Sequence, residues 1–155
     1  MENQIKSFFF KSMSSGWASG KDEILKDDNA PGYKSIPFQD GDFYLVDRYC
    51  VNSESSKSAG TTTIWFKSVP IWVMNYGGFY NENAITFLKQ ALDKTYSASD
   101  FVGGRGPLVY TDGALTYTNK PRLNDFNKFE GREEIIDTQS GTLLGFHEYW
   151  GISLL

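Results

Sequence analysis

Two Asp-Gly pairs, Asp40-Gly41 and Asp112-Gly113, occupy like surroundings in the two halves of the chain and constrain its fold more than any other feature. Each is a two-residue turn signal of the type I′ class, in which both central residues take positive φ. Behind each, side chains alternate with the period of a strand. Phe43, Leu45 and Asp47 point one way and Tyr44, Val46 and Arg48 the other, while Leu115 and Tyr117 oppose Thr116 and Thr118. Two more strands follow each hairpin. In the first half they are expected over 62–67 and 70–76, joined at Ser68-Val69; in the second, over 133–138 and 142–150, joined by Gln139-Ser140-Gly141.

A helical stripe precedes each hairpin. Ala84, Phe87, Leu88, Ala91, Leu92 and Tyr96 follow the spacing of one apolar helix face, with Asn81 or Asn83 placed to cap its start. Ile5, Phe8, Phe9, Met13 and Trp17 make a similar stripe that Gly16 and Gly20 stop. Further strings line up between the halves. Phe38-Gln39-Asp40-Gly41-Asp42-Phe43 matches Tyr110-Thr111-Asp112-Gly113-Ala114-Leu115; Gly60-Thr61-Thr62-Thr63-Ile64 matches Gly131-Arg132-Glu133-Glu134-Ile135; Asn75-Tyr76-Gly77 matches Tyr149-Trp150-Gly151. The expected fold is therefore α+β: two tandem helix-plus-four-strand units, about 3–80 and 81–155, forming a curved antiparallel sheet of about eight strands with two helices. Polar stretches at 20–32 and 52–60 read as mobile surface loops, and no linker divides the halves.

At 155 residues one domain with its own core is expected. A net charge of −4 argues against direct contact with nucleic acid, which needs a basic face. The single cysteine, Cys50, allows no internal disulfide and suits a reducing cytoplasm; with no histidine nearby in the sequence it reads as a packed thiol rather than a nucleophile. The apolar trio Phe8-Phe9-Phe10 is too short for a signal peptide, and the longest apolar run, Ile71-Trp72-Val73-Met74, suits a buried strand, so no membrane span is expected.

Several strings give the chain a relative in sequence. Trp72-Val73-Met74-Asn75-Tyr76-Gly77, Arg105-Gly106-Pro107, Tyr110 with Gly113 and Tyr117, and Phe129-x-Gly131-x-Glu133-x-Ile135 together resemble a family of small, uncharacterised bacterial domains. The resemblance runs from the Phe8 helix to the end of the sequence. It implies a sensing or regulatory role, because in that family the domain stands alone or behind a DNA-binding helix-turn-helix. This chain departs from the pattern at Thr61-Thr62-Thr63, where an acidic G-E-x string is expected, and residues 1–155 hold no helix-turn-helix string ahead of the domain, so direct DNA binding is not expected of them.

Three candidate sites follow. The first is aromatic: in the repeat alignment Trp72, Met74 and Tyr76 correspond to Phe146, Glu148 and Trp150, each trio on one side of its strand. A carboxylate such as Glu148 between large rings suits a flat or cationic organic ligand. The plainer reading is an exposed face on which Glu148 pairs with a surface cation. The second is Arg105 after Gly103-Gly104, an arginine able to hold an anion, or simply to pair with a nearby acid. The third is Glu130, Glu133, Glu134 and Asp137 with His147; alternation splits Glu133 from Glu134, and one histidine is poor metal spacing, so a solvated strand edge is the plainer reading. No G-x-S-x-G elbow is present.

The expected function is a non-enzymatic binding or sensing module that holds a small organic ligand in an aromatic-lined cavity. Its expected lining is Trp65, Trp72, Tyr76, Glu148 and Trp150, with Asn75 and Arg105 as polar anchors. No catalytic residue, metal or cofactor is assigned. The alternatives are an enzyme using Glu133 or Glu148 with His147, and a protein-interaction domain that pairs through a sheet edge.

Overall fold

The computed structural model describes residues 1–20 and 23–155. The chain runs α1 (Glu2–Ser15), a 3-10 turn (Trp17–Ser19), β1 (Leu25–Lys26), β2 (Tyr33–Asp40), β3 (Phe43–Val51), β4 (Lys57–Phe66), β5 (Val69–Tyr80), α2 (Glu82–Ala98), β6 (Val109–Asp112), β7 (Leu115–Asp125), β8 (Lys128–Asp137) and β9 (Leu143–Ser153). The fold is α+β. All strands join one antiparallel sheet in the order β1-β2-β3-β4-β5-β9-β8-β7-β6. The sheet has nine strands rather than about eight, because Leu25 and Lys26 pair with Ser35 and Lys34 inside the stretch expected to be a loop. Lys21 and Asp22 of that stretch lie outside the described residues. The second expected loop is also shorter than its composition suggests: 57–60 pairs with 76–79 as the start of β4. A backbone ladder needs no apolar side chain, so Ser and Gly there did not prevent a strand.

Both helices form where the apolar stripes place them. α1 buries Ile5, Phe8, Phe9 and Phe10; α2 buries Ala84, Phe87, Leu88, Ala91, Leu92 and Tyr96. Asn81 stands at the N-cap of α2, but its side chain makes no capping bond, contrary to expectation. The hairpin turns differ in kind from the I′ pair expected. The two-residue loops are Gly41-Asp42 and Gly113-Ala114, and only their glycines have positive φ, +59° and +57°, as in a type II′ turn. Positive φ at both loop residues occurs instead at Lys67 (48°) and Ser68 (65°), between β4 and β5, one residue earlier than the turn expected at Ser68-Val69.

Strand alternation gives the sheet two unlike faces. Leu45, Ile64, Trp72, Met74, Tyr117, Phe129, Ile135 and Tyr149 point to the helix side and are buried. Trp72 lies between Phe126 and Phe129, its ring centroid 5.3 and 5.2 Å from theirs and nearly parallel to both. Its Nε1 donates to the Phe126 carbonyl at 2.9 Å. Phe9 of α1 packs against the same indole, at 5.2 Å between centroids. A buried aromatic of this size removes roughly 150–250 Å² from water, about 4–6 kcal/mol of transfer free energy. Trp72 is therefore part of the core and does not line a hollow, because the rings around it leave no open face.

Candidate functional site

The helices fill the middle of the inner face and leave it open toward β3, β4 and the end of β5. A cavity of about 440 Å³ lies there. Met13 of α1 and Trp17 of the 3-10 turn form one apolar wall; Ile85, Leu88 and Leu92 of α2 form another. The floor is polar, with Asp47 from β3, Ser58 from β4, Tyr76 and Tyr80 from β5, His147 from β9 and Arg105 from the loop after α2. Alternation on four strands, together with the loop that carries Arg105, therefore aims polar groups into one space.

Asp47 shares its strand face with Phe43 and Leu45 and points inward. Its Oδ1 accepts hydrogen bonds from Tyr76 Oη at 2.7 Å and Thr62 Oγ1 at 3.0 Å. No group among the described residues donates to Oδ2. Gly60 makes the Tyr76 contact possible: a Cβ at that position would stand 2.5 Å from Tyr76 Oη and 2.7 Å from Tyr49 Cβ. Burial pushes the Asp47 carboxyl above the usual carboxylate range, opposed by the Tyr76 and Thr62 hydrogen bonds and by the Arg105 charge.

Behind the floor lies a buried ion pair. Arg105 is 5% exposed and Glu133 fully buried, and the guanidinium Nη2 donates to Glu133 Oε1. Tyr117 Oη donates to Glu133 Oε2 at 2.6 Å and accepts from the Gly106 amide at 2.9 Å. Gly106 is required here, since a Cβ would meet Tyr117 Oη at 2.7 Å. The loop is further tied down at three carbonyls: Thr95 Oγ1 donates to Arg105 O, and Asn119 Nδ2 donates to Val102 O and Gly106 O. Burial alone would raise the Glu133 pKa, but the charge and hydrogen bond of Arg105 outweigh it and hold the carboxyl below its ordinary value. The plainer reading of Arg105, an ion pair with a nearby acid, is what the fold makes, and the arginine lines the cavity as well.

His147 stands beside this pair. Its Nε2 lies 3.3 Å from Ser58 Oγ, and its Nδ1 lies 3.8 Å from Glu133 Oε1, beyond hydrogen-bonding reach. Burial and the Arg105 charge depress its pKa to about 4 against the pull of Glu133, so the ring is neutral at pH 7. Three buried polar atoms of cavity residues have no hydrogen-bond partner: Tyr80 Oη, Arg105 Nε and His147 Nδ1. All three are closed off from the cavity itself: Arg105 and His147 both stand against Glu133, and the Glu133 charge acts on Tyr80 as well, so these atoms belong to the buried layer behind the floor.

Of the seven ligand-binding residues expected from the sequence, Tyr76 and Arg105 line this cavity and the other five lie elsewhere; His147, named there only as a possible acid–base partner, lines it too. Trp72 is in the core. Trp65 faces outward and packs on Tyr44, with centroids 5.7 Å apart. Asn75 accepts from Thr61 Oγ1 at 2.8 Å on the same outer face. Glu148 pairs with Arg132 at 3.4 Å, and Trp150 is 52% exposed. The cause is register. In the β5–β9 pair Tyr76 stands opposite Tyr149 and Asn75 opposite Trp150, so Tyr149 shares the face of Tyr76, whereas an alignment that equates Tyr76 with Trp150 gives Trp150 and Glu148 the wrong face. A slip of one residue exchanges the two faces of a strand.

Sequence reasoning missed Asp47, Tyr80 and Ser58, and set Glu133 and His147 aside as a solvated edge. The signal was present for three of them: Asp47, Glu133 and His147 all fall on the apolar phase of their strands. Among the described residues no group of three or more His, Cys, Asp or Glu is placed to hold a metal ion. No helix of the described residues is long and apolar enough to cross a membrane.

A family model described as a domain of unknown function (DUF5680) matches residues 47–151, more than half of the chain. Neither a curated protein nor a solved structure matches it significantly. The matched span opens on Asp47 and includes Tyr76, Tyr80, Arg105, Glu133 and His147.

Proposed function

Because the chain belongs to the DUF5680 family, whose description assigns no activity, we propose its function from the cavity: a non-enzymatic binding or sensing module for a small organic ligand. The observation that carries this reading is the pairing of an apolar wall with a polar, charged floor in one cavity. A volume of about 440 Å³ falls within the roughly 300–1,000 Å³ of small-molecule sites. The same reading takes the two halves as copies of one helix-plus-four-strand unit, supported by the adjacency of β5 and β9 at the sheet's centre and by the helix that precedes each strand set.

One observation favours an enzyme: Ser58, His147 and Glu133 lie in the order nucleophile, base and orienting acid. Their chemistry argues the other way. Glu133 has both oxygens engaged by Arg105 and Tyr117, and a histidine with a pKa of about 4 is a weak base at pH 7. Binding is thus the stronger reading. Trp17 in the cavity wall gives the test. A library of small organic compounds is screened by tryptophan fluorescence and melting temperature, with Trp17→Phe as the control. Compounds that shift both in the wild type, with the fluorescence change lost in Trp17→Phe, support the proposal; a library without effect, or effects that survive Trp17→Phe unchanged, would refute it.

A further inference from the structure

We infer that the ligand of this cavity carries a cationic nitrogen, received by the Asp47 carboxylate beside the rings of Tyr49 and Tyr76. The inference rests on the binding reading above and names the chemistry of its ligand.

Lys34, Lys57 and Glu82 also line the cavity, but none of them forms an ion pair with Asp47. Arg105 is spent on Glu133, with which it forms a buried ion pair. His147 is neutral at pH 7. Asp47 remains without an ion-pair partner among the described residues, because the groups that hydrogen-bond it, Tyr76 Oη and Thr62 Oγ1, are neutral hydroxyls. Hydroxyl dipoles offset part of the cost of burying a carboxylate, but they bring no counter-charge. Both of them bind Oδ1, which leaves Oδ2 for a donor that the chain does not supply. An ammonium or amidinium group is the donor whose charge matches.

The surroundings agree. Tyr49 and Tyr76 stand close enough to Asp47 for its charge to raise both their pKa values, after burial, which is the larger cause. Tyrosine faces attract cations, and Arg105 Cζ already lies 5.4 Å from the Tyr76 ring centre. The apolar body of the ligand then rests on Trp17, Leu88 and Leu92.

Lys34 is the rival for the role of recognition group. It lines the same cavity from β2, yet forms no ion pair with Asp47 or with any other described residue. The two possibilities predict opposite effects of its removal. If Asp47 receives a cation, Lys34 repels that cation and its loss tightens binding; if Lys34 receives an anion, its loss weakens binding.

The test uses the intact chain at pH 7 and three probes of one skeleton: naphthylmethylamine, naphthylmethanol and naphthoate. Affinities are measured by calorimetry, with melting temperature as the check on folding. The amine is expected to bind about tenfold or more tighter than the alcohol, and the naphthoate weakest. Asp47→Asn, which keeps the shape and the hydroxyl contacts, should remove the preference for the amine; Lys34→Met should tighten amine binding severalfold. Equal affinity for amine and alcohol, a preference for naphthoate, or a preference for the amine that survives in Asp47→Asn overturns the cationic ligand and leaves the binding reading standing. Failure of all three probes, together with failure of the fluorescence screen, overturns both.

Discussion

Glu133→Gln isolates the charge of the buried pair and so tests how the floor of the cavity is held. Glutamine keeps the size of the side chain and an oxygen for the Tyr117 hydroxyl, but it leaves the Arg105 guanidinium, 5% exposed, without its counter-ion. Removing one member of a buried ion pair costs about 3–5 kcal/mol, most of it the penalty of an uncompensated buried charge. A domain of this size has only about 5–15 kcal/mol of stability. Its melting temperature moves by roughly 2–4 °C per kcal/mol, so a fall of about 6–20 °C is expected. Urea denaturation followed by near-ultraviolet circular dichroism gives the free energy, with Arg105→Gln and the double variant completing a cycle. The double variant should lose less than the sum of the singles by about 2 kcal/mol or more, because it leaves no unpaired charge. A single-variant loss below about 1 kcal/mol, or losses that add within about 0.5 kcal/mol, would refute the account of Arg105 and Glu133 as one unit.

Four further outcomes are expected. His147 folds with its pKa lowered from 6.5 to about 4 by burial and Arg105, with Glu133 opposing, so between those values the unfolded chain binds the extra proton and stability rises with pH; the contribution, about 3 kcal/mol, is complete above pH 6.5, is lost as pH falls to about 4, and is removed by His147→Phe, as denaturation at a series of pH values will read. Gly60→Ala pushes a Cβ into Tyr76, breaks its bond to Asp47 and costs about 1–3 kcal/mol, visible as a lower melting temperature together with weaker ligand binding. Trp72→Ala removes a fully buried ring stacked on Phe126 and Phe129 and costs about 3–5 kcal/mol by urea titration. Trp150→Ala, at an exposed position on the opposite face, changes stability by less than about 0.5 kcal/mol and leaves calorimetric probe binding unaltered.

The architecture was legible wherever one period ruled a segment. The helix stripes were read residue by residue, and the hairpins at Gly41 and Gly113 fell in place even though their turn type did not. Turn type depends on which two residues leave the ladder, and here Asp40 and Asp112 stay in it, each paired across its loop. The site was less legible for a related reason. Strand phase is decided by single residues, and a repeat alignment with drifting offsets cannot hold it, so Trp150 and Glu148 were given the face that belongs to Tyr149 and His147. Arg105 could be named from its glycine-rich surroundings, whereas its partner could not, because Glu133 sits beside Glu134 in an acidic run that looks solvated. The rule that would have found the floor is local: a charged residue on the apolar phase of a strand must be paired, bound or functional.

The central seam of the sheet, where β5 meets β9, also sets the order in which the molecule becomes whole. β9 follows every other strand in the sequence, so β5 emerges during synthesis with one edge bare and must wait for more than sixty residues before its neighbour exists. Until then its unpaired amides and carbonyls offer a template to any other extended chain. His147 arrives only with that last strand, so a nascent chain stalled before it has neither a continuous sheet nor a finished pocket.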